Sequence, residues 1–165
     1  MRNEFGINLP NDLRAIKLGS TARINFRARL SSSGDGLRRA RKLKEALGRA
    51  PNEFAIILDR ILREAINAGI WRLRNGGAGD IIDSGRLLGS QRVTSNGSSI
   101  QISYGVPYAA LIHYGGYIVP YGDKRQRPIY IPGRPWVATV LGSQFGGYDI
   151  NQIYIDIIKR IISSI

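Results

Sequence analysis

The chain holds one histidine, His113, and no cysteine. A lone imidazole beside Tyr114 and two glycines has the type of a general base. No acid lies next to it in sequence, and no thiol exists to complete a dyad. The residues favour a simpler role, a side chain that orients a turn by hydrogen bonding. Asp83-Ser84-Gly85 offers a hydroxyl nucleophile, but Ile82 stands where a nucleophile elbow needs its first glycine. A helix N-cap accounts for both Asp83 and Ser84. Asp80 and Asp83 lie three apart, yet a metal site needs more ligands than this segment supplies. Gly76-Gly77-Ala78-Gly79 lacks the Gly-Lys-Ser/Thr ending of a phosphate loop and reads as a flexible connector. The expectation is no catalytic residue, no cofactor and no metal.

Charge points to binding. The net charge is +12, and residues 1–74 hold 16 Lys/Arg against 7 Asp/Glu, so +9 of it lies there. Such a chain attracts nucleic acid or an acidic protein surface. The densest cluster is Arg38, Arg39, Arg41, Lys42 and Lys44, on a segment that reads as a short helix over 37–47 with Gly48 as its C-cap. A second cluster, Lys124, Arg125 and Arg127, sits in the loop between two predicted strands. No base-reading pattern accompanies either, so nucleic-acid binding here would be sequence-independent and steeply salt-dependent. Arg38, Arg39, Arg41, Lys42, Lys124, Arg125 and Arg127 are the candidate partner-contact residues.

The elements that must carry these residues follow from periodicity. At 165 residues and 43% hydrophobic content the chain makes about one domain with a real core. Residues 1–19 read as an N-terminal arm and 20–165 as a single domain. No apolar run approaches the ~20 residues of a membrane span, and the N-terminus lacks the apolar core of a signal peptide. Thr21–Leu30 alternates apolar and polar and predicts a strand. Pro51 to Asn75 predicts a long helix, its stripe being Phe54, Ile57, Leu58, Ile61, Leu62, Ala65, Ile66 and Ile70. Asn96-Gly97 predicts a two-residue hairpin, with Val93 opposite Ile100. Strands follow at 117–119 and 129–131, a helical turn at 107–113, and a helix from Pro135 to about Gly142. Asp149 and Gln152 make a capping box for a final helix whose isoleucine stripe runs from Ile150 to Ile165. The sum is an α+β fold, a small and mostly antiparallel sheet with the long helix on one face. The last helix lies beside it or against a neighbouring subunit.

Three short motifs occur in a set order: Ser84-Gly85-Arg86-Leu87, then Pro107-Tyr108-Ala109 with His113-Tyr114-Gly115, then Pro132-Gly133-Arg134-Pro135-Trp136. In this order and spacing the chain resembles the small neck and tail-completion proteins of long-tailed bacteriophages, also described as virion-morphogenesis proteins. The resemblance spans the second half of the chain and the long helix before it. It implies a structural virion protein at the head–tail junction, a tail terminator that forms a ring, commonly six-fold. Its implied partners are other copies of itself, the tail tube protein, the head–tail connector or other neck proteins, and DNA in the channel. It implies a place in the virion neck after assembly in the host cytoplasm, and a packing role for His113. The chain departs from the pattern in its long basic N-terminal half, in Asp80-Ile81-Ile82-Asp83 where a proline is usual, and in Trp136 where phenylalanine is usual. Two other classes fit some residues. A sequence-independent DNA-binding protein would use segment 37–49, and a small hydrolase would use His113 and Ser84.

Overall fold

The computed structural model describes residues 21–25, 36–79, 85–97, 99–119 and 127–164. Strand β1 (Thr21–Asn25) is followed by helix α1 (Gly36–Asn67) and a two-residue hairpin pair, β2 (Trp71–Arg72) and β3 (Ala78–Gly79). A short helix α2 (Arg86–Gly89) leads into β4 (Gln91–Ser95) and β5 (Ser99–Tyr104). Then come α3 (Ala109–Tyr114), β6 (Gly115–Ile118), β7 (Ile129–Pro132), α4 (Trp136–Leu141) and α5 (Ile150–Ser164). The main sheet is antiparallel in the order β1-β5-β4, and β2-β3 and β6-β7 are separate two-stranded ribbons. This is the α+β architecture that the periodicities predict.

The two helices expected at 37–47 and 51–75 are one. Helix α1 runs 32 residues, through Gly48 and Pro51, and ends at Asn67. A glycine and a proline in a helix interior cost about 1 and 3 kcal/mol relative to alanine. The buried row offsets that cost: Leu43, Ala46, Ala50, Phe54, Leu58, Ile61 and Ala65 recur at three and four residues without a break across Pro51. Breaking the helix would turn part of that row away from the core. At the other end the Trp71 indole N–H donates to the Ala65 carbonyl at 2.6 Å, satisfying one of the open carbonyls of the last turn. The chain therefore leaves the helix early, and Ile70, assigned to the stripe from sequence, is 60% exposed. The expected connector at Gly76–Gly79 is a built turn, in which Leu73 N–H bonds to Gly77 O at 2.8 Å and Ala78–Gly79 forms β3.

Helix α1 packs one face on β4 and β5 and also meets α4 and α5. Ile100, Ile102, Phe54, Leu58 and Ile61 share one core, with Val93 packed against it. The hairpin register differs from the expected one. Val93 pairs with Ile102, and Ser95 with Ile100. Asn96 closes the turn instead of occupying its first central position, because its Oδ1 accepts both the Ser99 N–H (2.8 Å) and the Ser99 hydroxyl (3.0 Å). The slip is one full pair, so every side chain keeps its face. The arm (residues 1–19) and residues 26–30 of the first predicted strand lie outside the described residues.

The Asp149 side chain caps α5 as expected, accepting the Gln152 N–H at 3.0 Å. Gln152 donates to Asp156 at 2.6 Å, which leaves the reciprocal half of the expected box unmade. The isoleucine stripe does not wait for a neighbour. Ile150, Ile157, Ile158 and Ile161 are buried, and Phe54 of α1 meets Tyr154 edge-on at 5.2 Å. Of the two placements open from sequence, the chain takes the one beside α1, so the stripe is no spare interface. Ile61 has no exposed surface. Ile61→Ala should lower stability by about 2–5 kcal/mol in urea unfolding. An unchanged midpoint would place Ile61 outside the core.

Candidate functional site

The second and third motifs, separate in sequence, meet, and the first shares their buried core. Trp136 is 1% exposed and lies edge-on to His113 (ring centroids 4.8 Å) and to Tyr104 (5.4 Å). The Arg134 N–H donates to the Ile112 carbonyl at 2.9 Å, and Arg134 Nε reaches the Arg72 carbonyl at 3.1 Å. Between α3 and β7 the backbones touch. A Cβ on Gly115 (φ +78°) would stand 2.6 Å from Gly133 N, and one on Gly133 would stand 2.6 Å from Tyr114 O. Both positions thus require glycine, for close approach and, at Gly115, for its positive φ. Leu87 of the first motif is buried in the same core, and the carbonyl of the next residue, Leu88, accepts Arg63 Nη1–H of α1 at 3.3 Å. Asp83 and Ser84, read as N-caps, lie outside the described residues. Gly85 takes the N-cap position of α2, with no side-chain cap bond.

From Trp136 a hydrogen-bonded chain crosses the core. The indole N–H donates to Tyr104 Oη (2.8 Å), and the Tyr104 hydroxyl donates to Gln91 Oε1 (3.0 Å). Gln91 Nε2 donates to the Asp59 carbonyl and to Asp59 Oδ1, both at 2.9 Å, and Arg63 Nε donates to Asp59 Oδ2 at 2.8 Å. Burial pushes the Tyr104 phenol up, so it stays a neutral donor at pH 7. The chain ties α4 to β5, β4 and α1. Sequence reasoning missed Gln91, which is fully buried. The available signal was parity, since Gln91 shares the inward face of β4 with Val93.

His113 is 4% exposed, and neither ring nitrogen has a hydrogen-bond partner among the described residues. The expectation that it orients a turn by hydrogen bonding is therefore corrected. It acts as a packed ring between Tyr114 and Trp136. Burial alone pulls its pKa from 6.5 down to about 4, so it is neutral at physiological pH.

The basic candidates are elsewhere. Arg38, Arg39 and Arg41 are exposed and Lys42 half-buried on the first turns of α1. Among the described residues none of them, nor Lys44, pairs with a carboxylate, whereas Arg49 has Glu45 and Arg63 has Asp59. Arg127 is exposed just before β7, and Lys124 and Arg125 lie outside the described residues. No hydrogen bond or ion pair among the described residues links Arg127 to the α1 cluster. Among the described residues no helix is long and apolar enough to cross a membrane.

No family model, no curated protein and no solved structure matches this chain.

Proposed function

We propose that this chain is a structural virion protein. It forms a ring at the head–tail junction, completes the tail tube and joins it to the head connector. The observation that carries the reading is the meeting of the second and third motifs at His113 and Trp136, over a core that Leu87 of the first motif shares. Residues of the second and third motifs fill a core and close a backbone crossing, which gives those motifs a packing role. The link to the head–tail junction comes from the resemblance of those motifs to neck and tail-completion proteins. In this reading the protein binds and does not catalyse. His113 serves the packing.

The cations at the start of α1, which have no carboxylate partner among the described residues, are the surface for acidic neighbours in the ring or neck, or for DNA in the channel. Charge reversal at Arg38 and Arg41 together should weaken docking onto tail tubes or neck complexes and flatten its salt dependence. Docking that is unchanged across a salt series would make this face a solvated one. The ring itself is tested by solution mass and electron microscopy of the full-length protein, alone and mixed with tail tubes. A protein that stays monomeric even when bound to a tube would defeat the reading. The same cations favour a second one, sequence-independent DNA binding, for which retention by the monomer should fall steeply with salt.

A further inference from the structure

The buried row of α1 begins at Leu43. Arg39, four residues earlier, lies on the same face of the helix, yet it is exposed, and Leu37 is 88% exposed. The first two turns of the helix therefore project beyond the core. They hold Arg38, Arg39, Arg41, Lys42 and Lys44, and the first acid of the helix is Glu45, which pairs with Arg49 at 3.6 Å. Among the described residues the five earlier cations have no carboxylate partner.

This charge works against the helix that carries it. The amino end of a helix has a partial positive charge and favours acids, and the first turn of α1 holds none. Arg38 neighbours Arg41 and Lys42 on the helix surface, and Arg41 neighbours Lys44. Like charges three and four residues apart weaken a helix. No side chain before Leu43 is buried to offset the repulsion. A partner that neutralises these cations removes it.

The density of the charge picks the partner. Five cations within seven positions fall along about 9 Å of helix axis, roughly one per 2 Å. Duplex DNA carries one negative charge per about 1.7 Å of its own axis. Carboxylates crowded to that density on a protein surface take up protons, because each raises the pKa of the next. Backbone phosphates stay ionised. We propose that residues 36–44 bind the phosphate backbone of duplex DNA, and that binding and completion of this part of the helix are one coupled event. The inference rests on the reading of these cations as a partner surface. It names the partner and adds the coupling.

The test titrates the full-length protein with a short mixed-sequence DNA duplex and, at equal total charge, with polyglutamate. The duplex should slow amide hydrogen exchange at residues 41–44, whose N–H groups bond back along the helix, by at least roughly tenfold. Exchange at residues 54–66 should not change, and polyglutamate should protect residues 41–44 less. Ala40→Gly keeps every charge and lowers helix propensity, so it should weaken duplex binding about two- to fivefold. Arg38→Gln with Arg41→Gln should lower the slope of log affinity against log salt by about 2. If duplex binding leaves either the exchange or the Ala40→Gly affinity unchanged, the coupling is overturned and the cationic surface stands. Equal protection by polyglutamate overturns DNA as the partner and returns the surface to acidic proteins. A protein that binds neither polyanion at low salt overturns the inference together with the reading beneath it.

Discussion

Trp136→Ala should remove about 3–5 kcal/mol of stability, the range for truncating a buried large aromatic. The indole is 1% exposed and is gripped on two sides, edge-on by Tyr104 and by His113. Each such aromatic pair contributes about 0.5–1.5 kcal/mol beyond its buried area. Truncation also takes the donor from the Tyr104–Gln91–Asp59 chain and leaves a cavity beside His113 and Tyr104. Trp136→Phe separates the two effects. It keeps most of the ring volume and loses only the bond to Tyr104 Oη, so it should cost about 1–3 kcal/mol. Denaturant unfolding of both variants gives the comparison. If Trp136→Ala is no more costly than Trp136→Phe, the ring packing assigned to Trp136 is wrong.

Acid should weaken the fold through His113, by on the order of 3 kcal/mol. Its folded pKa is about 4 and its unfolded value 6.5, because the imidazolium would have to sit among apolar rings. Between those values the unfolded chain binds the proton and the folded chain does not. The contribution of neutral His113 is therefore fully present above pH 6.5. It falls away as the pH drops toward 4 and does not change below that. At 1.36 kcal/mol per pKa unit, the shift corresponds to roughly 3 kcal/mol. Carboxylates add their own acid dependence, so the measurement is a difference. Unfolding free energies of the parent and of His113→Phe, from urea titrations at about pH 7.5 to 4, should diverge by that amount, the variant being the flatter. Parallel curves would mean that His113 is hydrated or bonded in solution. His113→Phe should also leave assembly intact, since the proposed role is packing. Loss of a hydrolytic activity in a folded, assembling variant would return His113 to chemistry.

Much of the fold was legible because its signals are local. The alternation around Thr21, the helical spacing of Phe54 to Ile66, the strands around Tyr117 and Tyr130, and the Asp149 cap each depend on residues within a turn or two. Local chemistry also gave the existence of the 91–104 hairpin. It did not give its register, since Asn96 could serve inside the turn or as its closing residue, and both keep Val93 on the same face as Ile100. The exposure of Arg38, Arg39, Arg41 and Lys44 at the start of α1 was legible for the same reason, since charged side chains stay in water; Lys42 is half-buried.

By itself the sequence determined which face of each element is apolar and where the charge lies. Tertiary packing decided which partner each face meets. The isoleucine stripe of α5 fits a neighbour as well as it fits α1, and only the packing of α5 on α1, with Phe54 against Tyr154, settles it within the chain. Gly48 and Pro51 stop an isolated helix, but not one whose buried row runs unbroken past them. Ile70 continues the helical period, yet the bond from the Trp71 indole to Ala65 ends the helix first. Gln91 and His113 are polar by type, and both are buried. A polar side chain enters a core when the fold brings it partners, as Tyr104 and Asp59 do for Gln91, or keeps it uncharged, as the rings do for His113. Those partners lie 13 to 32 residues from Gln91 along the chain, beyond the reach of any local pattern.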